Sequence, residues 1–450
     1  MKKFNREKAL KKLEFQRKWR RYSRYVYIAM PCVLCGILGL YLAYSKFFVT
    51  QEQEVVRATA APFIRGDVVI NNYVNGQLVD DAPARGTGYK VDKIVCDNGA
   101  VGEWSGKDWG PIISNVTRRS KCNIYFVDAE KVNIGNVAVP LDGYGLCPTV
   151  KDDGTVTVTE AESQYGYLCK AKDAYGDSYY YRGNVTNNYV KFADKYWRIV
   201  RINGDGTVRV IYDGTSAHAN GESSSDRQIG TSTFNSSYND NAYVGYMYGQ
   251  TGASTYAAAH ANTNDSTIKA YIDNWYKTNI VGTANEQYLA DNIFCNDRSI
   301  SSNKPDSYNN LGYGTNKTAY LWYYGPWSSG GSNIKLTCPQ KNDAFTVSDT
   351  TNGNGAITYP VGLLSTDEIV LAGGWNEENS GYYLYSGQYW WASSPSYFSG
   401  SYARVRYVRS NGNANSSDTV FYNYGVRPVF NLISDILKNG YGTSSNPYHA

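Results

Sequence analysis

The residues whose type and spacing could do chemistry are the cysteines. Cys96, Cys122, Cys147, Cys169, Cys295 and Cys338 follow an apolar run near the N-terminus. An even number in an exported segment favours three disulfides over reactive thiols, although six cysteines allow fifteen connectivities. Pairing of neighbours is expected: Cys96–Cys122, Cys147–Cys169 and Cys295–Cys338. Closing each of these loops should stabilise by about 3–4 kcal/mol on a chain-entropy basis. Cys32 and Cys35 form a CxxC inside the apolar run itself. There they read as small apolar side chains, not as a redox pair.

Other catalytic signals are sparse. The chain has three histidines, His218, His260 and His449, and no HExxH, GxSxG or GxxxxGK[ST] motif. His218 and His260 lie in Ser/Asn/Ala-rich stretches and read as solvated. Asp367 and Glu368 belong to a helix start, where they complement the helix dipole. Asn203-Gly204-Asp205-Gly206 resembles a calcium loop only superficially, because Arg201 occupies the first ligand position. A plain hairpin turn is expected there. These features imply no cofactor, no metal site and no catalytic residue.

Aromatic residues point instead to binding. Tyr accounts for 43 of 450 residues. Tyr, Trp, Asn, Ser and Gly together suit adaptable recognition surfaces, where rings supply contact area at low entropy cost. Tyrosines also replace aliphatics on half-buried strands, so single ones carry little weight. Two clusters are harder to explain by core packing: Tyr320, Trp322, Tyr323, Tyr324 and Trp327, and Tyr382, Tyr383, Tyr385 and Tyr389. Trp390-Trp391 are adjacent on an expected strand, so at most one should face the core of a one-sided sheet. The expected ligand-binding residues are Tyr389, Trp390, Trp391, Arg404, Arg406, Tyr422 and Asn423.

The N-terminus sets the compartment. Residues 1–24 carry eleven Lys/Arg against Glu7 and Glu14, while the rest of the chain is net acidic. Residues 25–45 contain no charge. A helix of that length spans roughly 30 Å, one hydrocarbon core. The run is too long for a signal-peptide core, its exit is a poor cleavage site, and no lipobox precedes Cys32 or Cys35. An uncleaved signal anchor over 25–48 is expected. The basic head then stays in the cytoplasm and the remainder lies outside. The head reads as a topology signal attracted to anionic lipid rather than as a nucleic-acid arm.

The rest divides into a stalk (49–88), a small disulfide-tied β module (89–148), a transition segment (149–190), a main domain (191–434) and a tail (435–450) expected to fray. In the main domain, residues 196–202 and 207–212 should form a hairpin across Asn203–Gly206. Ser266 should cap a helix with Ile268, Tyr271, Ile272 and Trp275 on one face. Residues 286–293 should form a second helix. Ser365-Thr366-Asp367-Glu368 is a capping box. Residues 403–408 alternate, and Pro428 should confine the last strand to an edge or a bulge. The fold class is α+β with long loops.

Tyr196-Trp197-Arg198-Ile199-Val200-Arg201-Ile202, Cys295-Asn296-Asp297-Arg298-Ser299, Trp390-Trp391-Ala392-Ser393-Ser394-Pro395 and Gly425-Val426-Arg427-Pro428-Val429-Phe430-Asn431-Leu432 resemble an uncharacterised family of bacterial exported domains (DUF6273-like). The resemblance covers roughly residues 180–434 and implies a bacterial surface protein without naming an activity. More distantly, the closing pattern is similar to the C-type-lectin-like fold of formylglycine-generating enzymes. That likeness implies that residues 196–202 and 426–432 pair as first and last strands. The combined expectation is a single-pass cell-surface protein with a non-enzymatic adhesion or ligand-binding head, its partner a glycan, cell-wall or protein surface. The alternatives are an exported enzyme using Cys295/Cys338 or an unrecognised site, and a structural subunit of a surface assembly.

Overall fold

The computed structural model describes residues 11–20, 68–116, 119–141, 144–299, 320–321 (backbone only) and 333–450. The expected span over 25–48 and most of the stalk lie outside the described residues. So does most of the Tyr320–Trp327 cluster. Residues 11–20 are helical with exposed side chains. Among the described residues no helix is long and apolar enough to cross a membrane.

The chain splits into two compact units, Met1–Asn71 with Ile94–Asn123, and Asn72–Lys93 with Ile124–Ala450. In the first, a hairpin pairs Val101–Ser105 with Gly110–Ser114. Trp104 and Trp109 meet edge to face across its turn at 5.3 Å. Among its described residues the buried apolar core is Ala100, Ile113 and Cys122. So small a core needs a covalent staple, and Cys96–Cys122 supplies it.

The second unit is mixed α+β, mostly sheet. Its central sheet runs in the order Gly166–Asp173, Gly176–Gly183, Lys195–Ile202, Val208–Gly214, Val429–Leu432 and Val361–Gly362, with Tyr189–Phe192 added beside Lys195–Ile202. The two strands before residue 190, expected in a transition segment, are therefore part of this sheet. The 196–212 hairpin forms as expected: Asn203 N–H donates to Thr207 O, and Gly206 takes a φ of 84°. Every residue of Val208–Gly214 is buried, which requires cover on both faces.

That strand also corrects the expected closure. Val429–Leu432 pairs with Val208–Gly214, not with Lys195–Ile202. Pro428 is not in an edge strand either. It precedes an inner strand, and its carbonyl accepts from Tyr212 N–H.

The helix Thr267–Asn279 starts where its cap indicates, with Ser266 Oγ accepting from Lys269 N–H. It buries Ile268, Ile272 and Tyr276. The Ser365/Glu368 capping box is complete. Of the helix expected over 286–293, only a 3-10 turn at Ala284–Tyr288 forms. The tail is not frayed. Tyr448 is fully buried, donates to Ile134 O, and continues the edge at Val190.

All three expected disulfides form. Three such bonds point to a secreted or extracytoplasmic location.

Candidate functional site

A second sheet runs in the order Thr231–Ser232, Tyr424–Gly425, Trp390–Phe398, Ala403–Val408 and Ser416–Thr419, with Tyr320–Leu321 paired to the far end of Trp390–Phe398. It is covered on both faces, and this overturns the expectation for the tryptophans. Trp391 is fully buried against Phe234 and Tyr407, its indole N–H donating to Ser232 O. Trp390 is buried on the other side, under the Arg427 guanidinium. Neither can touch a ligand without unfolding the sheet.

Arg404 and Arg406 alternate with Tyr407 along Ala403–Val408. Arg404 lies over the Tyr397 ring, while Arg406 is buried and donates to Asn415. In the second tyrosine cluster Tyr382 and Tyr383 are entirely core. Of the expected binding residues, Tyr389, Tyr422 and Asn423 remain at the surface.

Around them the fold assembles an aromatic strip. Tyr389 lies 5.4 Å from Tyr424, Tyr424 6.2 Å from Tyr422, and Tyr422 4.6 Å from Phe421, all nearly parallel. Phe421 meets Tyr238 at 5.0 Å, and Tyr238 stacks on Tyr402 at 5.4 Å. Tyr389 and Tyr422 are 45% exposed, Tyr402 43% and Tyr238 39%. All four belong to the exposed large hydrophobic side chains of the described residues.

Backbone hydrogen bonds hold three of the strip residues. Gly425 N–H donates to Tyr389 O, Ala403 N–H to Tyr238 O, and Tyr422 N–H to Thr419 O. A Cβ at Gly425 would sit 2.8 Å from Tyr389 O, so only glycine lets the Tyr389 and Tyr424 segments approach this closely. The Tyr424 hydroxyl donates to Asp418 at 2.7 Å. Partial burial and that carboxylate push its pKa up, so the Tyr424 ring keeps its proton.

The residues proposed for chemistry lie elsewhere. Cys295 and Cys338 are bonded to each other. The two loop histidines are not solvated. His260 is buried, and burial pushes its pKa down to about 2. His218 is clamped between Glu222 at 2.7 Å and Asp226 at 2.9 Å.

The Gly425–Pro428 element is structural. Arg427 is buried and donates to Leu384 O, Tyr212 O and Asp213.

Residues 332–434 match a domain of unknown function, DUF6273. The match covers the later part of the 180–434 stretch that the motifs suggested. It contains five of the six strip rings, all but Tyr238. No curated protein and no solved structure matches this chain.

Proposed function

We propose that this is a membrane-anchored bacterial surface protein whose folded part is a non-enzymatic binding head, with the aromatic strip as its contact face. The observation that carries this reading is the strip itself. Six rings from four separate segments form one continuous run, and four of them remain about two-fifths exposed. Folding for stability alone would turn such rings inward, as it does for Tyr382, Tyr383 and Tyr407.

An elongated neutral row favours an extended, uncharged ligand, and a glycan strand fits best: sugar C–H faces pack on rings, and Asn423 and the tyrosine hydroxyls can serve the ligand's hydroxyls. The three disulfides support an external location. The uncharged run over 25–45 supports anchoring over 25–48 with the N-terminus inside. Bonding of Cys295 to Cys338 weighs against the thiol-enzyme alternative. A C-type-lectin-like architecture for the head belongs to the same proposal; the closing Trp-Trp and Gly-Val-Arg-Pro pattern supports it.

A strip predicts dependence on ligand length. Affinity for a neutral oligosaccharide series should rise from two units to about six and then level off, each covered ring contributing about 0.5–1.5 kcal/mol. Titration calorimetry with graded oligomers of several linkages measures this. Binding that is already complete with a monosaccharide would place the site elsewhere.

A further inference from the structure

At the N-terminal end of the Thr366–Leu371 helix lies a cavity of about 250 Å3, which Asp297, Asp367, Ser299, Ser365, Ser394 and Lys335 help to line. It lies among residues of the second unit and shares none with the aromatic strip. Two guanidiniums also border it, and both have partners. Arg201 pairs with Asp173 at 2.6 Å and Glu368 at 3.3 Å, and Arg209 pairs with Glu368 at 2.6 Å. Glu368 is thereby fully used, since it also accepts from Ser365 N–H.

Asp297 and Asp367 have no such partner. Among the described residues neither makes an ion pair. Arg298, beside Asp297 in sequence, is engaged by Asp343 at 2.6 Å. The Lys335 ammonium turns toward Asp153 instead. Asp367 is 8% exposed, and the hydrogen bond it accepts from another residue comes from Lys335 N–H to Oδ1, leaving Oδ2 without one. Asp297 accepts from Ser299 N–H.

The charges around the cavity are short of cations. Arg201 and Arg209 face Asp173, Glu368, Asp297 and Asp367, and Lys335 is shared with Asp153. Buried carboxylates without a cation retain protons, and here burial followed by hydrogen bonds and neighbouring charges leaves Asp297 at about 6 and Asp367 at about 7.

We propose that this cavity is a binding site for a small ligand carrying one alkylammonium group, seated between Asp297 and Asp367 with its hydroxyls toward Ser299 and Ser394. The cavity lies below the range of roughly 300–1,000 Å3 typical of drug-sized pockets, which limits the ligand to about the size of a monosaccharide. The ammonium supplies part of the missing positive charge and pairs with the ionised form of the two acids. Binding therefore tightens as pH rises from 5 to 8. The groups that face the pair are Arg201, Arg209, Glu368, Arg298, Asp343 and Lys335, and all but Lys335 are held in buried ion pairs.

The test uses the full chain and two probes of one size, glucamine (1-amino-1-deoxysorbitol) and sorbitol, with calorimetry at pH 8 and pH 5.5. Glucamine should bind saturably at pH 8, at least about tenfold more weakly at pH 5.5, and sorbitol not at all. Asp367→Asn and Asp297→Asn should each weaken glucamine at least about tenfold, while Asp435→Asn, at a half-exposed surface acid that does not line the cavity, leaves it unchanged. Tyr422→Ala should also leave it unchanged, which keeps this site distinguishable from the strip. Equal binding of sorbitol, absence of glucamine binding, or displacement of glucamine by calcium chloride would each overturn the proposal.

Discussion

Replacing Asp213 by asparagine should destabilise the fold by about 3–5 kcal/mol, the cost of leaving buried charge without its partner. Asp213 is fully buried at the end of the Val208–Gly214 strand. Arg227 donates to its Oδ1 through Nε at 2.8 Å and Nη2 at 2.7 Å. Arg427 reaches the same oxygen at 3.2 Å, and Arg198 stands 4.0 Å from Oδ2. Three guanidiniums thus share one carboxylate, and each is otherwise held by neutral groups. Arg198 donates to Val185 O and Asn188, Arg227 to Tyr383 O, and Arg427 to Leu384 O. Those acceptors satisfy N–H groups but not charge. Burial already pushes Arg427 down to about 9.

The variant keeps the size and shape of the side chain, so the loss measures charge. Urea unfolding of wild type and Asp213→Asn reads it directly. A loss below about 1 kcal/mol would match an exposed pair and would show that the cluster has another counter-charge.

The second large effect is a fall in stability as pH rises through the neutral range. Burial holds Asp367 at about 7 and Asp297 at about 6. Between pH 4 and 7 the folded state therefore binds protons that the unfolded chain has released. Stability is highest below the unfolded carboxylate value and declines as pH rises through the folded one. Asp367 alone should contribute on the order of 4 kcal/mol to this decline. Glu368 acts oppositely: the charges of Arg209 and Arg201 outweigh its burial and hold it below its usual value, so its contribution is lost on acidification. Its effect falls below about pH 4.5. His260, pushed down to about 2, also opposes the decline below about pH 6.5, because there the unfolded chain takes up a proton that the buried ring does not, so the aspartates' share is read from their variants. Asp367→Asn should raise the melting temperature at pH 8 and not at pH 4. An equal change at both values would remove the ionisation account.

Local signals were the legible part of the sequence. The capping box at Ser365, the Ser266 cap and the Asn203–Gly206 turn each rest on a few adjacent residues. The disulfide pairing followed from compartment and order. What failed depended on which faces of an element are covered. Period-2 alternation placed Trp390 and Trp391 on opposite faces, but the expectation that one would be free assumed a one-sided sheet. The buried arginines were invisible for a similar reason. Charged side chains are normally surface residues, and only a fold that brings backbone carbonyls and Asp213 together makes them core.

The strip was half legible. Tyr389 and Tyr422 stood out beside the closing pattern. Tyr238 and Tyr402 were missed because the rings they meet are distant in sequence, whereas Phe421 was missed although it adjoins Tyr422. The Tyr422/Tyr424 spacing of two was the one local signal that could have extended it.

The most direct test of the strip is retention of the purified full chain on immobilised neutral polysaccharides. Wild type would be compared with Tyr422→Ala, Tyr389→Ala and Tyr441→Ala. Tyr441 is 58% exposed and outside the strip, so its variant controls for loss of an exposed ring. The account predicts that wild type and Tyr441→Ala are retained alike, and that each strip variant loses at least about tenfold in affinity, roughly 1.4 kcal/mol, while unfolding at an unchanged temperature. Equal retention of all four proteins, or retention of none on any polysaccharide, would contradict it.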